Sequence, residues 1–295
     1  MRLHPAIALL GLFAASRAWG LITIGDDPAI LSAPANGAPW RYVAALGPGG
    51  GSAVYLGNGF LLTANHVSPF GPVYLDGALY QVDTSFGSGG VQQVGNLDLK
   101  VLKIVGDPNL PPLELTTPAD MDLGQPSTLI GWGVGKGTVV PNQGWYWGDA
   151  STAVERWGSN DTDATLYQPQ PADGDFPGDH LTTHFDLAAG GTEAQLAILD
   201  SGSGLFQLHD GIWKLAGIGV GADHADTVPA ALYDMDSATP GNQPDASYCL
   251  RIESARSEIL AIATVPEPAL AASLMVGAGI LVGWPRRARV RRSRN

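Results

Sequence analysis

Asp200-Ser201-Gly202-Ser203-Gly204 places a serine among small residues, in a turn tight enough to expose a hydroxyl and bring backbone N–H groups close to it. A serine hydroxyl is a weak nucleophile until a base takes its proton, and the oxyanion formed on attack needs N–H donors. A base is available where the apolar run Gly59-Phe60-Leu61-Leu62-Thr63-Ala64-Asn65 delivers His66, since imidazole suits proton transfer near neutrality. A third group, Asp98, leads into Leu99-Lys100-Val101-Leu102. A buried carboxylate there would fix the imidazole tautomer and stabilise the imidazolium. Each residue alone reads equally well as a hairpin turn, a strand-end histidine or a turn aspartate. Together, 32 and 103 residues apart, they supply a nucleophile, a base and an acid to orient it.

The elements that would hold these groups are short and extended. With 39 Gly and 22 Pro in 295 residues, turns are plentiful and long helices are disfavoured. Strand character appears in residues 41–46, 52–56, 59–64, 99–105 and 127–132, and again in 194–199, 204–208 and 213–220. The polar, Asp- and Gly-rich stretch from 159 to 180 reads as a surface loop. Helical spacing is confined to the end of this region, where Ile252, Ala255, Ile259 and Ile262 share one face. Strand patterning alone permits a sandwich as well as a pair of barrels.

The two ends have a different character. Arg2, the apolar run from Ala6 to Ala15 and the small residues around Ala18-Trp19-Gly20 form a secretory signal pattern, giving residues 1–20 as a signal peptide. At the other end Val265-Pro266-Glu267-Pro268 precedes sixteen uncharged residues, 269–284, and then six arginines. Such a span of about 24 Å nearly crosses the bilayer core, with the arginines staying cytoplasmic. This tripartite tail, 264–295, resembles a PEP-CTERM sorting signal, which implies an exosortase-type processing enzyme, membrane attachment before processing and a destination in the cell envelope or outside the cell. A plain transmembrane anchor is the alternative. Between the ends, residues 21–265 carry eight basic residues against 27 acidic ones, a net charge of −19, which excludes nucleic acid as a partner. The only cysteine, Cys249, can form no internal disulfide, so packing alone must hold the core.

The flanks of the three groups carry a further resemblance. Leu62-Thr63-Ala64-Asn65-His66, Asp98-Leu99-Lys100-Val101-Leu102, Asp200-Ser201-Gly202-Ser203-Gly204 and Gly131-Trp132-Gly133 resemble the corresponding motifs of trypsin-like serine proteases, in the same His, Asp, Ser order. The likeness extends over most of residues 40–263. It implies an all-β fold of two Greek-key, six-stranded barrels, the first at about 40–130 and the second at about 131–250, closed by a helix at about 251–263. It also implies an endopeptidase acting on polypeptides through His66, Asp98 and Ser201, with the N–H groups of Leu199 and Ser201 as oxyanion hole and no cofactor. The nucleophile elbow of α/β-hydrolases is excluded, because Ser201 has Leu199 and Ser203 where that motif requires glycines.

Three positions depart from the pattern. Leu199 stands where the family has glycine, Val220 where a serine would contact the aspartate, and Asn65 where alanine precedes the histidine. The substrate pocket falls to Gln195 and Val220, and Gln195 in place of an acid predicts no strong preference for Arg or Lys at the cleaved bond. Activation in the family uses a freed N-terminus that pairs with the aspartate before the nucleophile, here Asp200. Leu21-Ile22-Thr23-Ile24-Gly25 weakly resembles such a terminus, and signal removal after Gly20 would expose it. The leucine, the valine and the anchoring tail give a second reading, a silent trypsin-like domain that binds surface or extracellular-matrix components. Metal sites are not expected: His180 and His184 lack the helical zinc pattern, and Asp161, Asp163, Asp173 and Asp175 lack an EF-hand spacing.

Overall fold

The computed structural model describes residues 21–263 apart from 27, 48, 69–70, 169–175, 188–189, 224–228 and 234–243. The segments expected as signal peptide and sorting tail, with Asp173 and Asp175, therefore lie outside the described residues.

Strand formation begins with turns that the sequence dictates. Asn58 and Gly59 both have positive φ, 53° and 80°, the conformation of a two-residue hairpin turn that matches the twist of its strands. They join Ser52–Gly57 to Phe60–Ala64, and both strands are buried throughout. These lie at the centre of a curled seven-stranded antiparallel sheet. Its spatial order is Ala78–Tyr80, Val73–Leu75, Val43–Ala45, Ser52–Gly57, Phe60–Ala64, Leu99–Lys103 and Val91–Gln93.

The second curled sheet runs Arg156–Asp161, Pro126–Gly131, Gly204–His209, Ile212–Ala222, Ala246–Arg251 and His180–His184. A short seventh strand, Glu114–Leu115, pairs parallel to Ile212–Ala222. The architecture is the all-β pair of sheets with a C-terminal helix that the resemblance implied, with seven strands in each sheet rather than six. The strand Pro126–Gly131, which the sequence reading put at the end of the first barrel, belongs to the second sheet, because its Ser127 to Ile130 pair with Gln207 to Gly204. Part of the expected loop from 159 is also strand: pairing continues to Asp161, opposite Pro126.

One apolar cluster joins the two sheets. Val54, Leu62 and Leu102 from the first meet Phe206, Leu215 and Ile218 from the second, all with no exposed surface. The helix Ile252–Ala263 closes it with Ile252, Ala255, Ile259 and Ala263, while Ile262 packs only at the margin. Burying such side chains contributes roughly 1.5–3 kcal/mol each, and this replaces the disulfides that the chain cannot make. Cys249 is wholly buried, and desolvation pushes its thiol up to about 12, which leaves it unreactive.

Residues at the start of the described region are part of the fold. Ile22 and Thr23 pair with Gln195 and Ala194, and Leu21 and Ile22 are buried in the second half of the molecule.

Candidate active site

Register brings His66 and Asp98 together. Ala64 pairs with Leu99, so the chain leaving one strand runs beside the chain approaching the other. Asn65 N–H donates to the Asp98 carbonyl at 2.9 Å and His66 N–H to Asp98 Oδ1 at 2.9 Å. The second carboxylate oxygen, Oδ2, lies 2.6 Å from His66 Nδ1. Asp98 is 5% exposed, and its position is fixed by both backbone and ring.

Ser201 comes from the other sheet. It sits at the second position of a turn closed by Ser203 N–H to the Asp200 carbonyl at 2.8 Å, just before the strand Gly204–His209. Gly202, at φ 87°, occupies the third position of that turn, and a Cβ there would lie 1.9 Å from the Ser52 carbonyl oxygen. Only glycine allows the two sheets to approach so closely here. Ser52 N–H in turn donates to the Ser201 carbonyl at 2.8 Å, which ties the turn to the first sheet. Across this junction His66 Nε2 is 2.8 Å from Ser201 Oγ. The three candidate residues thus form one continuous hydrogen-bonded chain from a buried carboxylate to a partly exposed hydroxyl.

Leu199 occupies the left-handed region, at φ 72°. It is the third residue of a turn closed by Asp200 N–H to the Ala197 carbonyl at 3.0 Å, a position that normally takes glycine. The backbone has therefore adopted the glycine-like conformation in spite of the leucine side chain. Among the described residues neither the Leu199 nor the Ser201 N–H is engaged in a hydrogen bond, so both are available to an incoming oxygen. A leucine held there costs about 1 kcal/mol. Leu199→Gly is expected to raise stability by about that amount, and Leu199→Val, branched at Cβ, to lower it by about 2 kcal/mol. Urea midpoints would measure both; identical midpoints for the three proteins would rule out strain at this turn.

The carboxylate of Asp200 points away from the cleft and is fully buried. Its oxygens accept from Gly133 N–H at 2.7 Å and Ala197 N–H at 3.0 Å, and from the Leu21 N–H. Gly131 and Gly133 make room for it: a Cβ on either would lie within 2.4 Å of its carboxyl atoms. Burial pushes this carboxyl up to about 7 in spite of the three N–H groups and the attraction of Arg156. Arg156 is itself buried, and desolvation brings its guanidinium down to about 9.

Val220, which cannot donate a hydrogen bond, lines a cavity of about 380 Å³ beside the site. Gln195 does not reach that cavity; it is fully buried and its Nε2 donates to the Asp223 carbonyl at 3.2 Å. Gly51, Trp132 and Leu199 border a second, apolar groove of about 730 Å³. His180 and His184 lie on a strand, and among the described residues no group of three or more His, Cys, Asp or Glu could hold a metal.

Two contributors escaped the sequence reading. Lys100 Nζ donates to the Asn65 carbonyl at 2.8 Å and to the Val67 carbonyl, clamping the loop that carries His66. Its signal was an inward lysine, since strand alternation sets it on the same face as buried Leu102 and Ile104. Phe176 stacks on the His66 ring with centroids 4.9 Å apart and planes 13° apart. It belongs to the segment read as loop, and nothing in its spacing announces that contact.

No protein-family model matches the chain, and no curated protein does. Solved structures do. The chain is similar to the Rv3671c protease from M. tuberculosis in its active form, with 15% identity and a TM-score of 0.48 over 91% of this chain and 96% of that one. It is similar also to an inactive-form mutant of Rv3671c from M. tuberculosis H37Rv, with 14% identity and a TM-score of 0.49 over 82% and 96% of the two chains. A third likeness is to the HtrA-type protease AlgW with decapeptide, at 21% identity and a TM-score of 0.46, over 73% of this chain and 52% of that one.

Proposed function

We propose that the protein is an exported serine endopeptidase. Ser201 attacks the scissile carbonyl, and His66 takes the hydroxyl proton and then gives it to the leaving amine. Asp98 holds the imidazole in the tautomer with hydrogen on Nδ1 and stabilises the imidazolium. The N–H groups of Leu199 and Ser201 receive the developing oxyanion. Water then hydrolyses the acyl-enzyme by the same proton route. The observation that carries this reading is the unbroken chain Asp98 to His66 to Ser201, at 2.6 and 2.8 Å. The motifs flanking these residues support peptide bonds as the target, and the signal-like and PEP-CTERM-like ends support export and envelope sorting.

The mature enzyme in this proposal begins at Leu21. Cleavage after Gly20 would turn the Leu21 N–H that now reaches Asp200 into an ammonium group, and so supply the buried carboxylate with a counter-charge. N-terminal sequencing of the exported protein tests it; a mature chain lacking Leu21 would remove this part of the proposal.

A fluorophosphonate probe tests the catalytic reading directly. Residues 21–263 are expected to be labelled, and Ser201→Ala to abolish labelling. The second reading, a silent binding domain, draws on Leu199 at a strained glycine position. It would be favoured if the folded wild type took up no label.

A further inference from the structure

The cavity beside Val220 has a composition suited to one kind of side chain. Its lining includes Tyr167, Phe176, His180 and Tyr248, together with Asp223. The Tyr167 and Tyr248 rings lie 5.0 Å apart and are inclined at 48°, so they form adjoining faces of one aromatic corner. Phe176 places this corner against the candidate site, because the same ring stacks on His66. The carboxylate is held in position: Tyr248 Oη–H donates to Asp223 Oδ1 at 3.0 Å, and Ala246 N–H to Oδ2 at 3.1 Å. Each oxygen keeps room for another donor. Among the described residues no Lys, Arg or His forms an ion pair with Asp223.

Aromatic faces combined with an unpaired, oriented carboxylate favour a cation over a neutral apolar group. A cavity of about 380 Å³ is large enough for an extended lysine or arginine side chain. The net charge of −12 on the whole chain draws cations in the same direction. Gly221 lines the cavity, and a Cβ there would meet nothing within 4 Å.

We infer that this cavity binds a lysine or arginine side chain of the polypeptide substrate, at a position removed from the scissile bond. The inference rests on the protease reading for its substrate. It is compatible with the absence of an acid at Gln195, because the basic residue recognised here is not the one whose carbonyl is attacked: neither His66 nor Ser201 lines the cavity, and Phe176, which does, stacks on His66.

The experiment separates the two readings by measuring binding and cleavage independently. Fluorescent peptides differing only in Lys or Ala at one position, scanned along the sequence, are titrated against the Ser201→Ala protein, which binds without turnover. At one position the Lys peptide is expected to bind about tenfold more tightly than its Ala counterpart. Asp223→Asn, made in that background, should reduce the ratio to near one while leaving the Ala peptide within about twofold. Gly221→Phe, which puts a large side chain on the cavity's lining, should do the same. A Lys/Ala ratio near one at every position, or a ratio unchanged by Asp223→Asn, overturns the inference. Failure of the protease reading has a different signature: the wild-type protein would leave every peptide uncut while the ratios in the binding assay stayed intact.

Discussion

Asp98→Asn is expected to slow peptide hydrolysis by about 10⁴-fold with little change in KM, a loss of about 5 kcal/mol of transition-state stabilisation. The reason lies in the two hydrogen bonds that the carboxylate accepts. His66 N–H donates to Oδ1, so the amide oxygen of an asparagine would take that place and its NH₂ would face the ring. The NH₂ would then donate to Nδ1, which now lies 2.6 Å from an acceptor oxygen, Oδ2. The imidazole would have to carry its hydrogen on Nε2, facing Ser201 Oγ with a donor where a base is required. Binding contacts with the substrate are untouched, which is why kcat falls and KM does not. His66→Ala should produce a loss of at least the same size. Fold integrity is checked by circular dichroism, since Asp98 is buried and also anchors the backbone at His66. An Asp98→Asn enzyme that is folded and retains a tenth or more of the wild-type kcat would exclude this role for the aspartate.

Much of that geometry was legible in the sequence, because it is fixed by short-range rules. The Asn58-Gly59 turn, the apolar strand leading to His66 and the small residues around Ser201 are local signals, whereas the register that sets Ala64 against Leu99 is fixed only in the folded sheet. The glycines of Gly131-Trp132-Gly133 could be matched by letter, but their reason could not: both leave space for the Asp200 carboxyl, some seventy residues away in the chain. The same limit explains Phe176 and Lys100. Phe176 makes its contact from a loop, where no periodicity exists to reveal a partner, and alternation turns Lys100 inward without naming the carbonyls of Asn65 and Val67 that it meets. Gln195 was placed by counting back from Ser201. Counting fixes chain position but not side-chain direction, and this side chain turns into the protein toward Asp223. At Leu199, where the resembled family has glycine, the backbone reaches φ 72° regardless of the side chain.

The buried acid next to the nucleophile yields the second large effect. In the uncleaved chain Leu21 offers Asp200 only an amide N–H, and burial holds the carboxyl at about 7 against an ordinary value of 3.8. A carboxyl with a raised pKa in the folded state binds its proton more tightly folded than unfolded. Asp200 alone should therefore lower the stability of the uncleaved chain as pH rises from about 4 toward 7, by about 1.4 kcal/mol per unit and on the order of 4 kcal/mol in all. Cleavage after Gly20 reverses this. The Leu21 ammonium would pair with the charged carboxylate, the Asp200 part of the decline through pH 4–7 should vanish, and stability should instead start to drop above about pH 8, where the unfolded α-amino group gives up its proton while the paired one keeps it. Arg156 attracts the carboxylate in both forms and cannot produce the difference between them. Because Asp200 N–H and Ser203 N–H close the turns on either side of Ser201, ordering this carboxylate orders Leu199 and the nucleophile together. Asp200→Asn in the cleaved enzyme leaves a buried ammonium unpaired, a defect of about 3–5 kcal/mol, and should lower the rate of fluorophosphonate labelling at least 100-fold. In the uncleaved chain the same substitution should remove the Asp200 share of the pH dependence, leaving that of Glu155 and Glu193, whose carboxyls burial pushes up to about 9 and about 8, and change labelling little. Urea titrations of the two forms from pH 4 to 9, with labelling rates at pH 7, measure all of this. Cleaved and uncleaved chains with the same stability profile and the same labelling rate would show that Leu21 packs beside Asp200 without activating anything.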